Sequence, residues 1–385
     1  MKIALIDPSL FTWPYDSELA EGLQKNGHQV RLYTRFLAKG EPGFGSPLVR
    51  QFFYPGFQSN LAKKLPRPLF IALKGLSHCL DMIRLWFLLH REKPDVIHFQ
   101  WTPLPVADRW LVPFFRKIAP IVLTVHDSSP FNNNPSSSLQ RIGYFGIMQE
   151  FDGLIVHTQQ AKNKISEKGI PAASLNIIPH GVMGTPVPAP VAPSAQKNPD
   201  QVSILLFGKL KHYKGADVLI EALAQMPPDL RHRTRIRIVG KAEMDTAPLF
   251  ALAERLGVQD LIQWDLRFVD EGEMAEIFGS ADIMAMPYRD IDASGVLMVA
   301  LSIGRPIVAS RIGLFAEALE DGTHGYLVPS GDAGALSGAL ARLVSSKEER
   351  ERMGGEVRKL SQAIPGWDKI GQMTTGLYQS LKKSA

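Results

Sequence analysis

Several features are scarce or missing in this chain of 385 residues, and each absence narrows its function. The single cysteine, Cys79, excludes an intrachain disulfide and fits a reducing compartment such as the cytoplasm. No apolar run reaches the roughly 18 residues that a membrane-spanning helix needs. The first residues lack both the apolar core and the cleavage site of a signal peptide. We therefore expect neither a membrane span nor a secretory leader.

Three motif classes are also missing. The loop after the first predicted strand lacks G-x-G-x-x-G, which argues against a dehydrogenase that binds a nicotinamide or flavin. No GxxxxGK[ST] phosphate loop occurs, and no basic tail, zinc pattern or aromatic-basic RNA motif accompanies the net charge of +5. Nucleic acid is therefore not an expected partner. Attraction to phosphorylated substrates or to an anionic membrane explains the positive net charge equally well.

The chain does contain an alternation of short apolar runs with helical patterns. Continuous apolar runs indicate strands covered on both faces, and their alternation with helices predicts parallel, doubly wound sheets of an α/β protein. Four prolines in 187–200 indicate a linker, so we predict a first domain at 1–186 and a second at 201–366. The predicted strands are 2–6, 29–33, 96–99, 121–125, 154–157, 176–178, 203–207, 236–239, 261–264, 283–286, 307–309 and 326–328.

The end of the chain has an amphipathic helical pattern over 367–381. Two placements are open for a helix at 367–385. It either covers the second domain or returns to pack on the first.

The segment 283–310 indicates an anion site beside polar side chains. An apolar run ends at a turn that contains Arg289, Asp290 and Asp292, and a helix pattern then begins. The free amides and the dipole of a helix start attract phosphate, and the acids suit hydroxyl groups, so the pair suggests a nucleotide-sugar. The amides expected to hold the distal phosphate are those of Ser294, Gly295 and Val296. An ordinary N-cap at Ser294 is compatible with this role.

A lysine-rich loop follows the first strand of the second domain. Gly208 permits a tight turn, and Lys209, Lys211 and Lys214 precede a helix expected to start near Ala216. Three cations at the carboxyl end of a strand would neutralise a diphosphate leaving group. The alternative is a solvated basic loop.

Taken together, FGKLKHYKG, PYRDIDASGVLMVALSIGRPIVAS and EDGTHGYLVPSGD resemble the second domain of family 4 retaining glycosyltransferases. The resemblance implies the GT-B fold, in which two Rossmann-like domains face each other across a cleft. It covers most of 201–381 and extends weakly over the first domain through DVIHFQW, TVHD, VHTQQAKNKI and IIPHGV. None of these motifs specifies a substrate.

The resemblance implies roles for individual residues. Lys209 and Lys214 occupy the positions of the family's phosphate-binding Arg and Lys, and Lys211 shares or replaces the role of Lys209. The strict positions of the family's E-x7-E motif hold Ile291 and Val299, neither of which can bind a hydroxyl group. We therefore assign the sugar-binding role of the first Glu to Asp290, with Asp292 beside it, and leave the ribose ligand open.

In the first domain, His126 ends a predicted strand, and the resemblance implies a contact with the donor sugar or the acceptor. His98 is interpreted as a core residue bonded to a backbone carbonyl. The family often has a Gly-Gly pair in the first loop, but this chain has Trp-Pro-Tyr-Asp, so Tyr15 and Asp16 are candidate acceptor contacts. An N-cap at Asp16 for a helix over 17–25 is the alternative.

The segment 61–93 mixes basic and bulky apolar residues. We favour a long helix that covers the sheet, with Leu76, Leu80, Ile83, Phe87 and His90 on one face. The alternative is an interfacial segment on anionic lipid, and the basic stretch 62–67 is a candidate membrane contact in either case.

These patterns predict an enzyme that moves a sugar from a nucleoside-diphosphate sugar to an acceptor hydroxyl. The resemblance implies retention of configuration. The predicted acceptor is a carbohydrate or a lipid-linked precursor in glycolipid or surface polysaccharide assembly. No cofactor or metal is expected, because the lysines stand where a cation would serve. The predicted location is the cytoplasm, either free or at the inner face of the membrane. A nucleotide-sugar epimerase or hydrolase, and a non-catalytic binding protein, remain alternatives.

Overall fold

The computed structural model describes residues 1–59, 64–129, 142–183 and 200–384. The chain forms two compact units. Unit 1 comprises Met1–Gly181 and Pro365–Ala385, and unit 2 comprises Val182–Ile364. The predicted linker at 187–200 lies outside the described residues except for Asp200.

Unit 1 is built on seven parallel strands. They are β1 Lys2–Asp7, β2 Gln29–Arg35, β3 Val49–Phe53, β4 Val96–Phe99, β5 Ile121–Thr124, β6 Gly153–Val156 and β7 Leu175–Ile177. Their order in the sheet is β3-β2-β1-β4-β5-β6-β7. Every residue of β4, β5 and β6 is buried, as expected for strands that helices cover on both faces.

The helices of unit 1 come from both ends of the chain. They are α1 Trp13–Lys25, α2 Arg67–Glu92, α3 Pro105–Phe115, α4 Tyr144–Met148, α5 Gln159–Ser166 and α14 Trp367–Ser384. A 3₁₀ turn, Ala172–Ser174, precedes β7.

The terminal helix α14 packs against α1 at a glycine contact. A Cβ atom on Gly22 would lie 2.0 Å from the carbonyl oxygen of Trp367, and one on Gly371 would lie 2.5 Å from the carbonyl carbon of Gly22. The side-chain amide of Asn26 also donates a hydrogen bond of 2.8 Å to the Asp368 carbonyl. Helix α14 therefore packs on the first unit, which is one of the two placements that the sequence left open.

Unit 2 is built on six parallel strands. They are β8 Val202–Phe207, β9 Thr234–Val239, β10 Ile262–Asp265, β11 Ile283–Met286, β12 Ile307–Ser310 and β13 Gly325–Val328, in the order β10-β9-β8-β11-β12-β13. The helices are α6 Ala216–Gln225, α7 Pro228–His232, α8 Ala247–Arg255, α9 Glu271–Gly279, α10 Gly295–Ile303, α11 Gly313–Ala318, α12 Ala333–Ser345 and α13 Lys347–Ala363.

Successive side chains of β8 enter two different cores of unit 2. Ile204 and Leu206 pack into one cluster, and Leu205 and Phe207 pack into the other. Side chains alternate across a strand, so helices on both faces bury the whole apolar run. The predicted α/β fold with two doubly wound parallel sheets is therefore confirmed.

Two features of unit 1 differ from the sequence-based expectation. Strand β3 was not predicted, because four of its five residues are only half-buried at the sheet edge. The apolar face named above does not cover the sheet. Leu76 and Phe87 are 59% and 58% exposed, whereas Met82 and Leu85 are buried. The expectation of a core position for that face is wrong, because α2 packs on its opposite side.

Candidate functional site

The candidate site in unit 2 lies where its strand order reverses. Strand β8 is flanked by β9 on one side and β11 on the other, although it precedes both in the chain. Ligands of doubly wound sheets bind beyond the carboxyl ends of the strands at such a point. The loop after β8 holds Lys214, and the turn after β11 leads into α10, so the topology brings the two predicted phosphate-binding segments together.

The backbone geometry of this loop determines where the Lys214 side chain lies. A 3₁₀ turn, His212–Lys214, is followed by Gly215, which has φ of 68° and is the N-cap of α6. A Cβ atom at Gly215 would lie 2.0 Å from the carbonyl oxygen of Pro287, so only glycine permits this approach of the loop to the end of β11. The turn directs the Lys214 side chain inward.

The Lys214 ammonium is buried among aromatic and backbone groups. Its side chain is 5% exposed, and Nζ donates a hydrogen bond of 2.5 Å to the Tyr288 hydroxyl. Nζ also lies 3.5 Å from the carbonyl oxygen of Phe207. Burial lowers the pKa of Lys214 to about 7, with a smaller contribution from the charge of Lys211. An ammonium so poorly solvated has much to gain from a phosphate.

Tyr288 connects Lys214 to the start of α10. Burial raises the pKa of Tyr288 well above its usual value, so the phenol keeps its proton, and its oxygen also interacts with the Ser294 hydroxyl. Ser294 is the N-cap of α10, and its hydroxyl oxygen accepts a hydrogen bond of 3.2 Å from the Leu297 amide. The phenol thus binds the ammonium and lies beside the cap of α10.

The first turn of α10 lies against the same point as Lys214. A Cβ atom at Gly208 would be 3.0 Å from Lys214 Nζ and 3.3 Å from a methyl group of Val296. Gly208 therefore leaves open a space bordered by an ammonium and by a helix start. Gly295 and Val296 are only half-buried, and the amides that open a helix have no intrahelical acceptor. This arrangement is chemically suited to an anion.

Lys209 and Lys211 are placed differently from Lys214. Both pair with Glu243, at 3.5 and 3.4 Å, and the Lys209 side chain is 53% exposed while that of Lys211 is 17% exposed. Partial burial opposes ionisation of Glu243, but the two lysines outweigh it and lower the pKa of this carboxyl. Lys214 is therefore buried, whereas Lys209 and Lys211 both pair with the Glu243 carboxylate.

The charged side chains of the turn after β11 differ in their partners and in their exposure. Arg289 forms a bidentate ion pair with Asp217 of α6, at 2.8 and 2.6 Å, and so anchors the turn to the lysine loop. Asp290 is half-buried, whereas Asp292 is 5% exposed and its carbonyl accepts the Leu314 amide at 3.1 Å. Asp290 is the more accessible of the two acids.

The two apolar residues at the E-x7-E positions are core residues. Ile291 and Val299 are 6% and 8% exposed and belong to one hydrophobic cluster. Neither side chain has a polar atom that could replace a glutamate.

The structure encloses Tyr15 and Asp16 within unit 1. Asp16 is completely buried beside Asp7, and both carboxylates contact the Thr12 hydroxyl. Burial raises the pKa of Asp16 well above its usual value, and the charge of Asp7 adds to this effect. The helix begins at Trp13, with Thr12 in the cap position, so an N-cap at Asp16 is wrong. Because Tyr15 is only 3% exposed, neither residue lies at a surface where an acceptor would contact it.

Three imidazoles surround the Tyr15 ring. The ring centroids of His126, His157 and His180 lie 4.9, 5.3 and 5.2 Å from that of Tyr15, and Trp367 of α14 lies at 5.2 Å. His126 is half-buried. Its pKa lies well below the usual value, first because of burial and then because of the neighbouring imidazoles. A neutral His126 can exchange hydrogen bonds with a hydroxyl group, but it holds no spare proton for acid catalysis at neutral pH.

His98 has different partners from those expected. Its two ring nitrogens contact the Tyr378 hydroxyl at 2.7 Å and the Thr124 hydroxyl at 2.8 Å, rather than a backbone carbonyl. Burial lowers its pKa to about 3, so the ring is neutral. His98 therefore joins the first sheet to α14 as a core residue.

Two family models match the chain in sequence. The model described as Glycosyltransferase Family 4 matches residues 17–183, and that described as Glycosyl transferases group 1 matches residues 192–360. All but the last two residues of the first match fall in unit 1, and the whole of the second match falls in unit 2. The chain belongs to the family 4 glycosyltransferases.

Known relatives of this glycosyltransferase cover nearly its whole length. The D-inositol 3-phosphate glycosyltransferase of Xylanimonas cellulosilytica is 25% identical over 96% of this chain and 91% of its own. The enzyme of the same name from Pseudarthrobacter chlorophenolicus is 26% identical over 95% of this chain and 89% of its own.

Solved structures show the same GT-B fold. Sucrose-phosphate synthase from Thermosynechococcus elongatus has a TM-score of 0.79 with 20% identity, and each chain is covered completely. Anabaena HepE, in complex with UDP and glucose, has a TM-score of 0.75 with 18% identity, over 99% of this chain and 100% of its own.

Three residues of the glycosyltransferase site were not found by sequence reasoning. Tyr288 binds Lys214, Glu243 pairs with both Lys209 and Lys211, and Asp217 pairs with Arg289. Tyr288 directly precedes the predicted polar turn, and only this position in the sequence could have pointed to its role in the site. Glu243 and Asp217 follow other strands or loops, so only the fold brings them to their partners.

Neither a metal cluster nor a membrane helix is found in the part of the chain that the structure describes. No group of three or more His, Cys, Asp or Glu residues among the described residues is arranged to hold a metal ion. Across the same ranges, no helix combines the length and the apolar character needed to cross a membrane.

Proposed function

We propose that this glycosyltransferase transfers a sugar from a nucleoside-diphosphate sugar to an acceptor hydroxyl with retention of configuration. The observation that carries the proposal is the buried Lys214 ammonium, which lies beside Gly208 and the first turn of α10 at the switch point of the second sheet. Because HepE binds UDP, we take UDP as the nucleotide probe.

Charge development explains what each group would do. As the glycosidic bond to the diphosphate breaks, negative charge builds on the phosphate oxygens. Lys214 and the amides of Ser294, Gly295 and Val296 would stabilise that charge, at about 3 kcal/mol for each good contact. Lys209 and Lys211 would add positive charge at the edge of the site. These cations make a metal cofactor unnecessary in the proposed reaction.

The sugar and the acceptor need further groups. Asp290 is proposed to accept hydrogen bonds from the donor sugar, and its partial exposure supports this role better than the buried Asp292. His126 is proposed, from the family resemblance, to contact the sugar or the acceptor as a neutral imidazole. A phosphate oxygen of the leaving group would then guide the acceptor hydroxyl to the same face of the sugar, which gives retention without a protein nucleophile.

The proposed acceptor is a carbohydrate or a lipid-linked precursor in glycolipid or surface polysaccharide assembly. The positive net charge and the family support this class. The proposed location is the cytoplasm, with contact to the inner face of an anionic membrane.

Calorimetric titration with UDP tests the site. We expect Lys214→Met to weaken UDP binding at least about tenfold, because it removes a charge-assisted contact. Lys347→Met is the matched control, since this lysine is 74% exposed on α13 and should leave binding unchanged. Equal binding by wild type and Lys214→Met would refute the assignment.

Turnover of UDP-sugars distinguishes the activities. A transferase should release UDP only with an acceptor, and NMR of the product should show the anomeric configuration of the donor. Release of UDP without an acceptor would indicate a hydrolase or epimerase. Tight binding without turnover over a panel of acceptors would indicate a binding protein.

A further inference from the structure

Helix α2 of unit 1 is apolar on its outward side as well as on the side that packs into the core. Six of the large apolar residues on its outward side are about half exposed, and they recur at alternating spacings of four and three: Leu69, Leu73, Leu76, Leu80, Ile83 and Phe87. Its inward side contains buried polar groups, where His78 pairs with Asp108 at 2.6 Å and Asp81 accepts the Tyr54 amide at 2.8 Å. The outward side of a surface helix in a globular protein normally carries charged and polar residues instead.

Helix α3 widens this apolar surface. A Cβ atom at Gly75 would contact Leu104 at 3.9 Å, and the Trp86 indole donates to the Phe114 carbonyl at 3.0 Å. The two helices therefore run side by side in the same direction. Trp110 and Phe114, one turn apart on α3, are 73% and 51% exposed. The apolar surface is thus two helices wide, and we call these eight side chains the α2–α3 face.

Basic residues border the α2–α3 face. Arg67 begins α2, Arg91 is exposed near its end, and the Arg84 side chain is 60% exposed although it pairs with the buried Asp81. The Lys117 ammonium lies 5.5 Å from the centre of the Phe114 ring. The outward side of α2 carries no acid.

We propose that the α2–α3 face binds an anionic lipid surface, with both helices lying parallel to the membrane plane. An outward tryptophan, bulky apolar side chains and a rim of cations are the composition of an interfacial helix. From Leu69 to Phe87 the contact would extend about 27 Å along the membrane. A membrane covers a surface two helices wide, whereas a single partner helix would cover only the α2 stripe.

Charge distinguishes lipid from a second copy of the chain. In a symmetric dimer the same face of both copies meets, so the rim cations of one copy would approach those of the other without an acid to pair with. Anionic headgroups supply the missing charge, at about 1 kcal/mol for each Lys or Arg near the surface. The inference does not depend on the Lys214 site.

Vesicle flotation tests the proposal with the full-length protein. We expect wild type to bind vesicles of equal parts phosphatidylglycerol and phosphatidylcholine at least about tenfold more tightly than vesicles of phosphatidylcholine alone. The variant Leu76→Gln/Leu80→Gln/Phe87→Gln should lose at least about tenfold in binding. The control Phe250→Gln/Phe268→Gln removes two exposed aromatics of unit 2, which are 41% and 60% exposed, and should bind like wild type.

A second variant covers the case in which the first fails to fold. Arg67→Gln/Arg91→Gln/Lys117→Gln keeps the apolar residues and should remove the preference for phosphatidylglycerol. Equal binding by wild type and both variants, or no vesicle binding by wild type, would overturn the proposal. A dimer in light scattering that the glutamine variant disrupts, without vesicle binding, would assign the face to a second copy. UDP titration of each variant reports separately on the donor site.

Discussion

Lys214 provides a titration that tests the proposed donor site directly. Burial, with a smaller contribution from Lys211, lowers the pKa of Lys214 to about 7. In the unbound protein at about pH 9, only about one Lys214 side chain in a hundred is protonated. Since UDP should bind the ammonium form, its affinity should fall about tenfold for each pH unit above the pKa, or about 1.4 kcal/mol per unit.

Calorimetry measures this effect in two ways. Bound diphosphate favours the charged lysine, so binding should raise its pKa and take up about 0.9 proton per site at about pH 8. Titrations in buffers with different ionisation enthalpies give this number directly. The dissociation constant of UDP between about pH 7.5 and about pH 9.5 gives the slope, above the range in which the terminal phosphate itself titrates.

Lys214→Arg is the decisive control. A guanidinium keeps its proton throughout this range, so the variant should bind UDP without proton uptake and with a flat pH profile, whatever its absolute affinity. A flat profile for wild type would refute the reasoning, because it would mean that Lys214 is either charged throughout or not in contact with the diphosphate.

Three further predictions concern stability and positioning. Because folding lowers the pKa of Lys214 from 10.5 to about 7, the unfolded chain binds more protons between these values, so the unfolding free energy of wild type should rise with pH relative to Lys214→Met in urea titrations. Tyr288→Phe should weaken UDP binding about tenfold by calorimetry, since the ammonium loses its hydrogen-bond partner, and unchanged binding would contradict its role. Gly22→Ala should lower the unfolding free energy by about 1–3 kcal/mol through its clash with the Trp367 carbonyl. The control is Gly376→Ala on the terminal helix α14. The added methyl group would meet nothing within 4 Å, so this variant should be close to neutral in the same urea titrations.

The fold could be predicted from the sequence where burial leaves a simple pattern. Strands such as β4 and β8 are buried over their whole length, so they are visible in the sequence as runs in which all but one residue is apolar. Strand β3 has residues of mixed polarity at a half-buried edge, and it gave no such signal. Helix α2 misled the prediction for the opposite reason. It has apolar residues on both sides, and a pattern of apolar spacing does not say which side faces the core.

The candidate site could be predicted in its local parts but not in its long-range contacts. The lysine loop and the start of α10 are continuous segments, and their chemistry is legible in the residues themselves. The partners Tyr288 and Lys214 are separated by 74 positions, and the crossover between β8 and β11 brings them together. The burial of Tyr15 could not be predicted, because Trp367, one of the residues that pack on it, comes from the other end of the chain.

The origin of α14 has a consequence for synthesis on the ribosome. The nascent first unit emerges without Trp367 and Tyr378, and all of the second unit must follow before these residues are made. Until then the Tyr15 ring and the His98 imidazole each lack one of the partners that enclose them in the finished protein. Vectorial folding should therefore complete the second unit first. Shortening the chain by its last helix should damage the distant first unit rather than its neighbour in sequence.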